Sequence, residues 1–131
     1  MLADREEMLD YARRNDPWPI HVDPEAAARS PFGGVIASGG YTITLMYRSL
    51  SAIYITPERR SAFLGGFDWP VRFAAPVRPG DRLRAKHLVK DKRISSKGGR
   101  GVVRTRVETM SQDAVCVLAV DAVILLETRP A

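Results

Sequence analysis

Apolar residues fall at helical spacing early in the chain, form a nearly uncharged block around residues 40–53, and alternate with charged residues thereafter. Asp4 is placed to N-cap a first helix running to about Arg14, in which Met8, Leu9, Tyr11 and Ala12 supply the apolar contacts. Pro17 and Pro19 stop it. Each disfavours the helical region for the residue before it, so Asp16 and Trp18 are expected to be extended. Asp23-Pro24 reads as an N-cap and first position of a short helix, Glu25 to Arg29, which Ser30-Pro31 ends. From about Gly40 to Ile53 only Arg48 is charged. A helix with so little polar surface belongs inside a protein, with Ser38 a fair N-cap and Pro57 limiting its end. The β-branched Thr42, Ile43 and Thr44 weaken the helical preference slightly.

The second half changes period. Residues 82–90 alternate basic with less polar side chains, and in 101–109 Val103, Thr105 and Val107 share one face while Arg104, Arg106 and Glu108 share the other. Residues 114–128 are apolar on both faces except at Asp121, which predicts a central strand. Residues 62–77 hold one more strand, which Pro70 assigns to an edge or a bulge. The stretches SSKGGRG, SQDA and PVRPGD supply turns. The expected class is α+β: helices first, then a four-strand antiparallel meander wrapped around the long apolar helix.

A length of 131 residues fits one domain, 1–131, with a real core. The net charge of +5 and pI near 9.8 favour anionic partners, nucleic acid or a phosphorylated small molecule. The basic cluster Arg78, Arg82, Arg84, Lys86, Lys90, Lys92, Arg93, Lys97 and Arg100 could meet such phosphates, but for most members a solvated hairpin face is the expectation. Without interleaved aromatics to stack on bases, nucleic acid is not the expected partner. One cysteine, Cys116, suits a reducing cytoplasm and is expected in the core. Met1 to Asp10 is too charged for a signal peptide, and the run from Gly33 to Pro57 is too broken by glycine for a membrane span, so a cytoplasmic protein is expected. His87 is expected to have a local partner and Asp121 to be a satisfied buried carboxylate. The Cys, His and carboxylate spacings suggest no metal site, and the glycines fit neither a P-loop nor a dinucleotide fingerprint, so no cofactor is expected.

The stretch NDPWPIHVDPEAA raises a chemical possibility. The stiffened segment can hold Asp16 and His21 in a fixed relation, with one water between an acceptor and an imidazole. The glycine-rich start of the following helix offers free N–H groups and a positive dipole end for a developing oxyanion. These parts suit addition of water to, or its removal from, a double bond conjugated to a carbonyl. The residue types alone also allow Asp16 as a surface residue at a helix end, His21 as a packed loop residue and the glycines as ordinary turns. Ser38 reads as a cap rather than a nucleophile, since no third group completes a triad.

The stretch DPWPIHVDPEAAARSPFGGVIASGG resembles the signature of the MaoC-like acyl dehydratases and (R)-specific enoyl-CoA hydratases, D-x-N-P-x-H-x-D followed by a Phe-containing loop and an apolar-His-Gly or apolar-Ser-Gly step into a central helix. GGFDWPVRFAAPVRPGDRLRAKHLVKDKR resembles the family's second block, and the likeness runs over roughly residues 6 to 127. The resemblance implies a hotdog fold and reversible hydration of a 2-enoyl thioester to the (R)-3-hydroxyacyl product, on coenzyme A or an acyl carrier. It implies a homodimer or dimer of dimers with acyl pockets near the subunit interface. Asp16 and His21 fall on the family's catalytic pair, and Gly39 on the glycine whose N–H faces the thioester oxygen, with Gly40, Ser38 and Trp18 beside it.

Three departures are visible. Trp18 stands where the signature has Asn, and Ser38 where its first-described members have His; both bear on substrate choice. The chain also begins near the family's first helix, so the opening strand is expected to be missing. Two rival activities share the fold. A hotdog thioesterase usually carries its catalytic acid on the central helix, which has no carboxylate from Gly40 to Pro57. A non-catalytic acyl-thioester-binding protein would keep the fold and lose the chemistry.

Overall fold

Asp4 begins the first element as its side chain accepts the Glu7 N–H at 2.9 Å, capping α1 (Arg5–Asn15), which buries Met8 and Ala12. The structure, a computed structural model, describes residues 1–56, 59–60 and 63–128. Pro57 and Ala62, used above as bounds, lie outside them. Trp18 is extended at φ −65°, ψ 143°, as the following proline requires, but the segment does not stay extended: Pro19 opens a one-turn helix, α2 (Pro19–Val22), that carries His21. Asp23 then caps α3 (Pro24–Arg29) by accepting the N–H groups of Glu25 and Ala26.

Ser38 caps α4 (Gly39–Tyr54) by accepting the Tyr41 N–H at 3.2 Å. The helix buries Tyr41, Thr42, Leu45 and Met46 in its first two turns. Its second half is not enclosed as expected. Tyr47 and Ile53 are exposed because the sheet covers only one side of the helix.

The strands are β1 (Ile55–Thr56), β2 (Arg59–Arg60), β3 (Phe63–Asp68), β4 (Val71–Phe73), β5 (Arg84–Ile94), β6 (Arg100–Met110) and β7 (Cys116–Glu127). β1 and β2 form their own short antiparallel ladder. The main sheet is antiparallel in the order β3-β7-β6-β5, with β4 also on β7. Only β5, β6 and β7 form a meander. The strand expected over 62–77 is split at Trp69-Pro70 and crosses over to pair with β7, making β7 central. Val107 pairs with Val120 and Thr105 with Ala122, so these residues line the inner face against α4.

Asp121, expected buried, points from the outer face. It is exposed and accepts from Arg106 Nη1 at 2.9 Å. Cys116 is half-buried at the start of β7 rather than in the core. Leu2 makes an isolated bridge to Arg82, and Ala3 N–H donates to Asp81 O at 2.8 Å. The basic cluster lies on the exposed surface throughout. Among the described residues no helix is long and apolar enough to cross a membrane.

Candidate active site

Asp16 is the C-cap of α1 and His21 lies on α2, so one helix end and one helical turn bring the two side chains together. His21 Nε2 stands 3.6 Å from Asp16 Oδ2, beyond direct hydrogen-bond range. His21 is 8% exposed, whereas a third of the Asp16 side chain reaches solvent, so the pair opens outward on the carboxylate side. The other ring nitrogen, Nδ1, lies 2.9 Å from Ile36 O. A backbone carbonyl only accepts, so Nδ1 carries the proton and a neutral His21 has its lone pair on Nε2. Nε2 and the Asp16 carboxylate are then two acceptors facing the same gap. A water placed there can donate one O–H to each, with its own lone pairs free.

The same bond locates the pair relative to α4. Ile36 is three residues before Gly39, a stretch that spans at most about 11 Å. The segment is held further by Ile36 N–H to Ile20 O and Ala37 N–H to Val77 O. At the start of α4 the Ser38 hydroxyl is committed to Tyr41 N–H and is buried. The N–H groups of Gly39 and Gly40, the first two of the helix, have no partner among the described residues and lie at the positive end of the helix dipole. At both positions a Cβ would force a neighbouring aromatic ring to shift. A Cβ at Gly39 would lie 2.7 Å from Phe73 Cζ, and one at Gly40 2.5 Å from the Tyr11 hydroxyl. Trp18 caps α2 and is 68% exposed; it does not line the cavity described next.

A cavity of about 440 Å³ opens between the second half of α4 and the inner face of the sheet. Tyr47, Leu50 and Tyr54 wall it from the helix, with Phe63, Trp69 and Ile124 from the sheet side. None of Asp16, His21 and Gly39 lines it. His87 enters from β5, and its Nδ1 is hydrogen-bonded to the Tyr54 hydroxyl, a partner on α4 rather than a local one. Burial pushes the His87 imidazole pKa down, which favours the neutral ring.

The structure brings Asp16 and His21 together and sets Gly39 and Gly40 at the start of α4, whereas the Ile36 carbonyl, the Phe73 contact and the His87–Tyr54 bond were not expected from the sequence. A carbonyl acceptor carries no residue-type signal, and the other two contacts join residues distant in sequence.

A central helix packed on an antiparallel sheet defines a hotdog protein, here with an Asp–His pair close in sequence to the start of that helix. The MaoC like domain matches residues 2–111, and the chain belongs to that family. The MaoC-like dehydratase of Rhodospirillum rubrum superposes with a TM-score of 0.87 at 27% identity, covering 100% of this chain and 88% of that one. The 3-hydroxyacyl-thioester dehydratase Z of Mycobacterium tuberculosis is 46% identical over 66 residues, 50% of this chain and 43% of that protein. Nodulation protein N of Rhizobium meliloti is 44% identical over 79 residues, 57% of this chain and 47% of that protein. The matched part of the chain thus spans less than half the length of these two curated relatives.

Proposed function

We propose that this protein catalyses the reversible hydration of a 2-enoyl thioester to the (R)-3-hydroxyacyl thioester, with coenzyme A as the carrier. The observation that carries the reading is the Ile36 bond, which leaves His21 Nε2 and Asp16 Oδ2 as two acceptors 3.6 Å apart. They hold one water by both its protons. Its oxygen adds to C3, the pair takes one proton from it and a proton is delivered to C2 on the same face, so the pair returns to its starting protonation. The N–H groups of Gly39 and Gly40 stabilise the negative charge that builds on the thioester oxygen. The family membership and the dehydratase among the relatives support this chemistry.

The acyl chain needs an apolar pocket, and a second copy of the chain supplies one. β3 is an edge strand that exposes Phe63, Leu64 and Phe67, a surface suited to pairing with a second β3. Gly39 sits against Phe73, whereas the cavity reaches Phe63. Phe63 and Phe73 pair with Leu126 and Leu118 of β7, which puts the two ends about 27 Å apart. Antiparallel pairing about a two-fold axis sets the Phe63 end of one copy beside the Phe73 end of the other. The cavity of each copy then faces the start of α4 in its partner.

A panel of enoyl-CoA thioesters, followed for loss of the conjugated enoyl chromophore with thiol release titrated in parallel, tests the activity. Loss of the chromophore without thiol release is expected. Thiol release would make the protein a thioesterase, and binding without either change would make it a non-catalytic acyl-thioester carrier.

A further inference from the structure

Besides Ser51 and the tyrosine hydroxyls of α4, the cavity wall carries His87 and Thr105 from the sheet, and the proposed hydration uses neither. β5 and β6 pair His87 with Val107 and Val89 with Thr105, so His87 and Thr105 are diagonal neighbours on the inner face. Thr105 is paired on its other side with Ala122, whose small side chain leaves room above it. His87 Nδ1 is occupied by the Tyr54 hydroxyl, and its Nε2 has no hydrogen-bond partner among the described residues. The Thr105 side chain is buried and likewise makes no hydrogen bond among them. The Thr109 hydroxyl is also unpaired, but it is sealed in the core and lines no cavity. His87 and Thr105 border the open space.

An occupant made only of methylene groups would strip both polar groups of water and pair neither, which weakens binding. A charged occupant is disfavoured too, because most of the remaining wall is aliphatic and aromatic and burial favours the neutral His87 ring. A hydroxyl group both donates and accepts, so it can pair with either tautomer of His87 or with the Thr105 hydroxyl. We propose that the acyl tail taken into this cavity carries a hydroxyl group at the depth of His87 and Thr105, so that the preferred substrate is a hydroxylated rather than a plain alkyl thioester. This rests on the acyl-thioester reading above and adds to it the class of tail.

Binding of saturated thioesters tests the proposal without requiring turnover. Decanoyl-CoA is compared with a set of monohydroxylated decanoyl-CoAs in which the hydroxyl moves along the distal half of the chain. Trp69 lines the cavity and reports occupancy by its fluorescence. In the wild-type protein at least one hydroxylated thioester should bind about tenfold tighter than decanoyl-CoA, the scale of one otherwise unpaired buried group. In His87→Leu and in the isosteric Thr105→Val that advantage should fall below about threefold. Equal or tighter binding of decanoyl-CoA to the wild-type protein, or an advantage unchanged in both variants, overturns the proposal. If His87→Leu does not fold, Thr105→Val decides. If neither folds, the wild-type comparison does. Hydration of crotonyl-CoA by the wild-type protein is measured separately, so failure of the hydratase reading and failure of the hydroxyl preference are told apart.

Discussion

At the scale of the residue, the proposed chemistry turns on one proton. Ile36 O fixes it on His21 Nδ1 and turns Nε2 toward Asp16. A histidine in the other tautomer would present an N–H to the carboxylate and close the gap that a water is to occupy. The nearness of Asp16 and His21 was suggested by the two stiffening prolines between them, but the residue types alone left a surface aspartate and a packed histidine open, and only the resemblance to the family signature singled out the pair. The tautomer was not legible in the sequence, because any residue at position 36 brings a carbonyl. Trp18, the departure that stood out in the sequence, is mostly exposed in the chain. Trp18→Asn should therefore change unfolding free energy by less than about 1 kcal/mol, as surface substitutions do, which a urea titration measures. A loss of several kcal/mol would mean that the indole packs against another surface.

At the scale of the element, one carboxylate joins α1 to α4. Glu7 Oε2 accepts from the Tyr41 hydroxyl at 2.8 Å and from Arg48 Nη1 at 2.9 Å, while Arg48 Nη2 bonds Glu7 Oε1. The Arg48 and Tyr41 hydrogen bonds hold the Glu7 pKa below its ordinary 4.5. With the folded value depressed, this contribution is present above the ordinary glutamate pKa and is lost as pH falls through the folded one. Stability measured by urea unfolding should drop below about pH 4.5, and Glu7→Gln should flatten that limb. An unchanged acid limb would show that solvent screens the tie to nothing, since the Arg48–Glu7 pair is partly exposed. Tyr41 also packs on Tyr11 with ring centroids 5.7 Å apart, and the Tyr11 hydroxyl closes on Gly40. Gly40→Ala should cost about 1–3 kcal/mol, the usual penalty for overpacking, read from the same titration.

Elements were the most legible level. Asp4, Asp23 and Ser38 cap the helices assigned to them because a side-chain oxygen before a helical run acts locally. The long strands also formed where alternation placed them. The α2 turn was missed because the restriction on Trp18 does not extend past Pro19, which suits a first helical position. The β3–β7 pairing was missed because strand order depends on contacts between residues about sixty apart, which no local pattern encodes.

At the scale of the whole molecule, the β3 edge exposes Phe63, Leu64 and Phe67, and the second half of α4 exposes Tyr47 and Ile53. Uncharged sequence correctly marked α4 as central, but its second half leaves Tyr47 and Ile53 exposed. If a second copy pairs along β3, Leu64→Glu combined with Phe67→Glu should shift the protein to monomer in sedimentation velocity and reduce hydration of long enoyl chains. A wild-type protein that is monomeric at working concentration would remove the proposed route from the pair to the cavity. Burial of His87 adds a further pH dependence. Its depressed pKa means stability is full above the ordinary histidine value of 6.5 and declines as pH falls below it, a slope that His87→Leu should remove.

The hydration of crotonyl-CoA by the wild-type protein, Asp16→Asn and His21→Gln tests the central claim most directly. The wild-type protein should consume the enoyl chromophore without releasing thiol. Each variant, folded to the same melting temperature within a few degrees, should lose roughly a hundred- to ten-thousand-fold in kcat/KM, as positioned acid–base groups do. Wild-type turnover that survives both substitutions within a factor of about three would contradict the account, because the water would then be activated elsewhere.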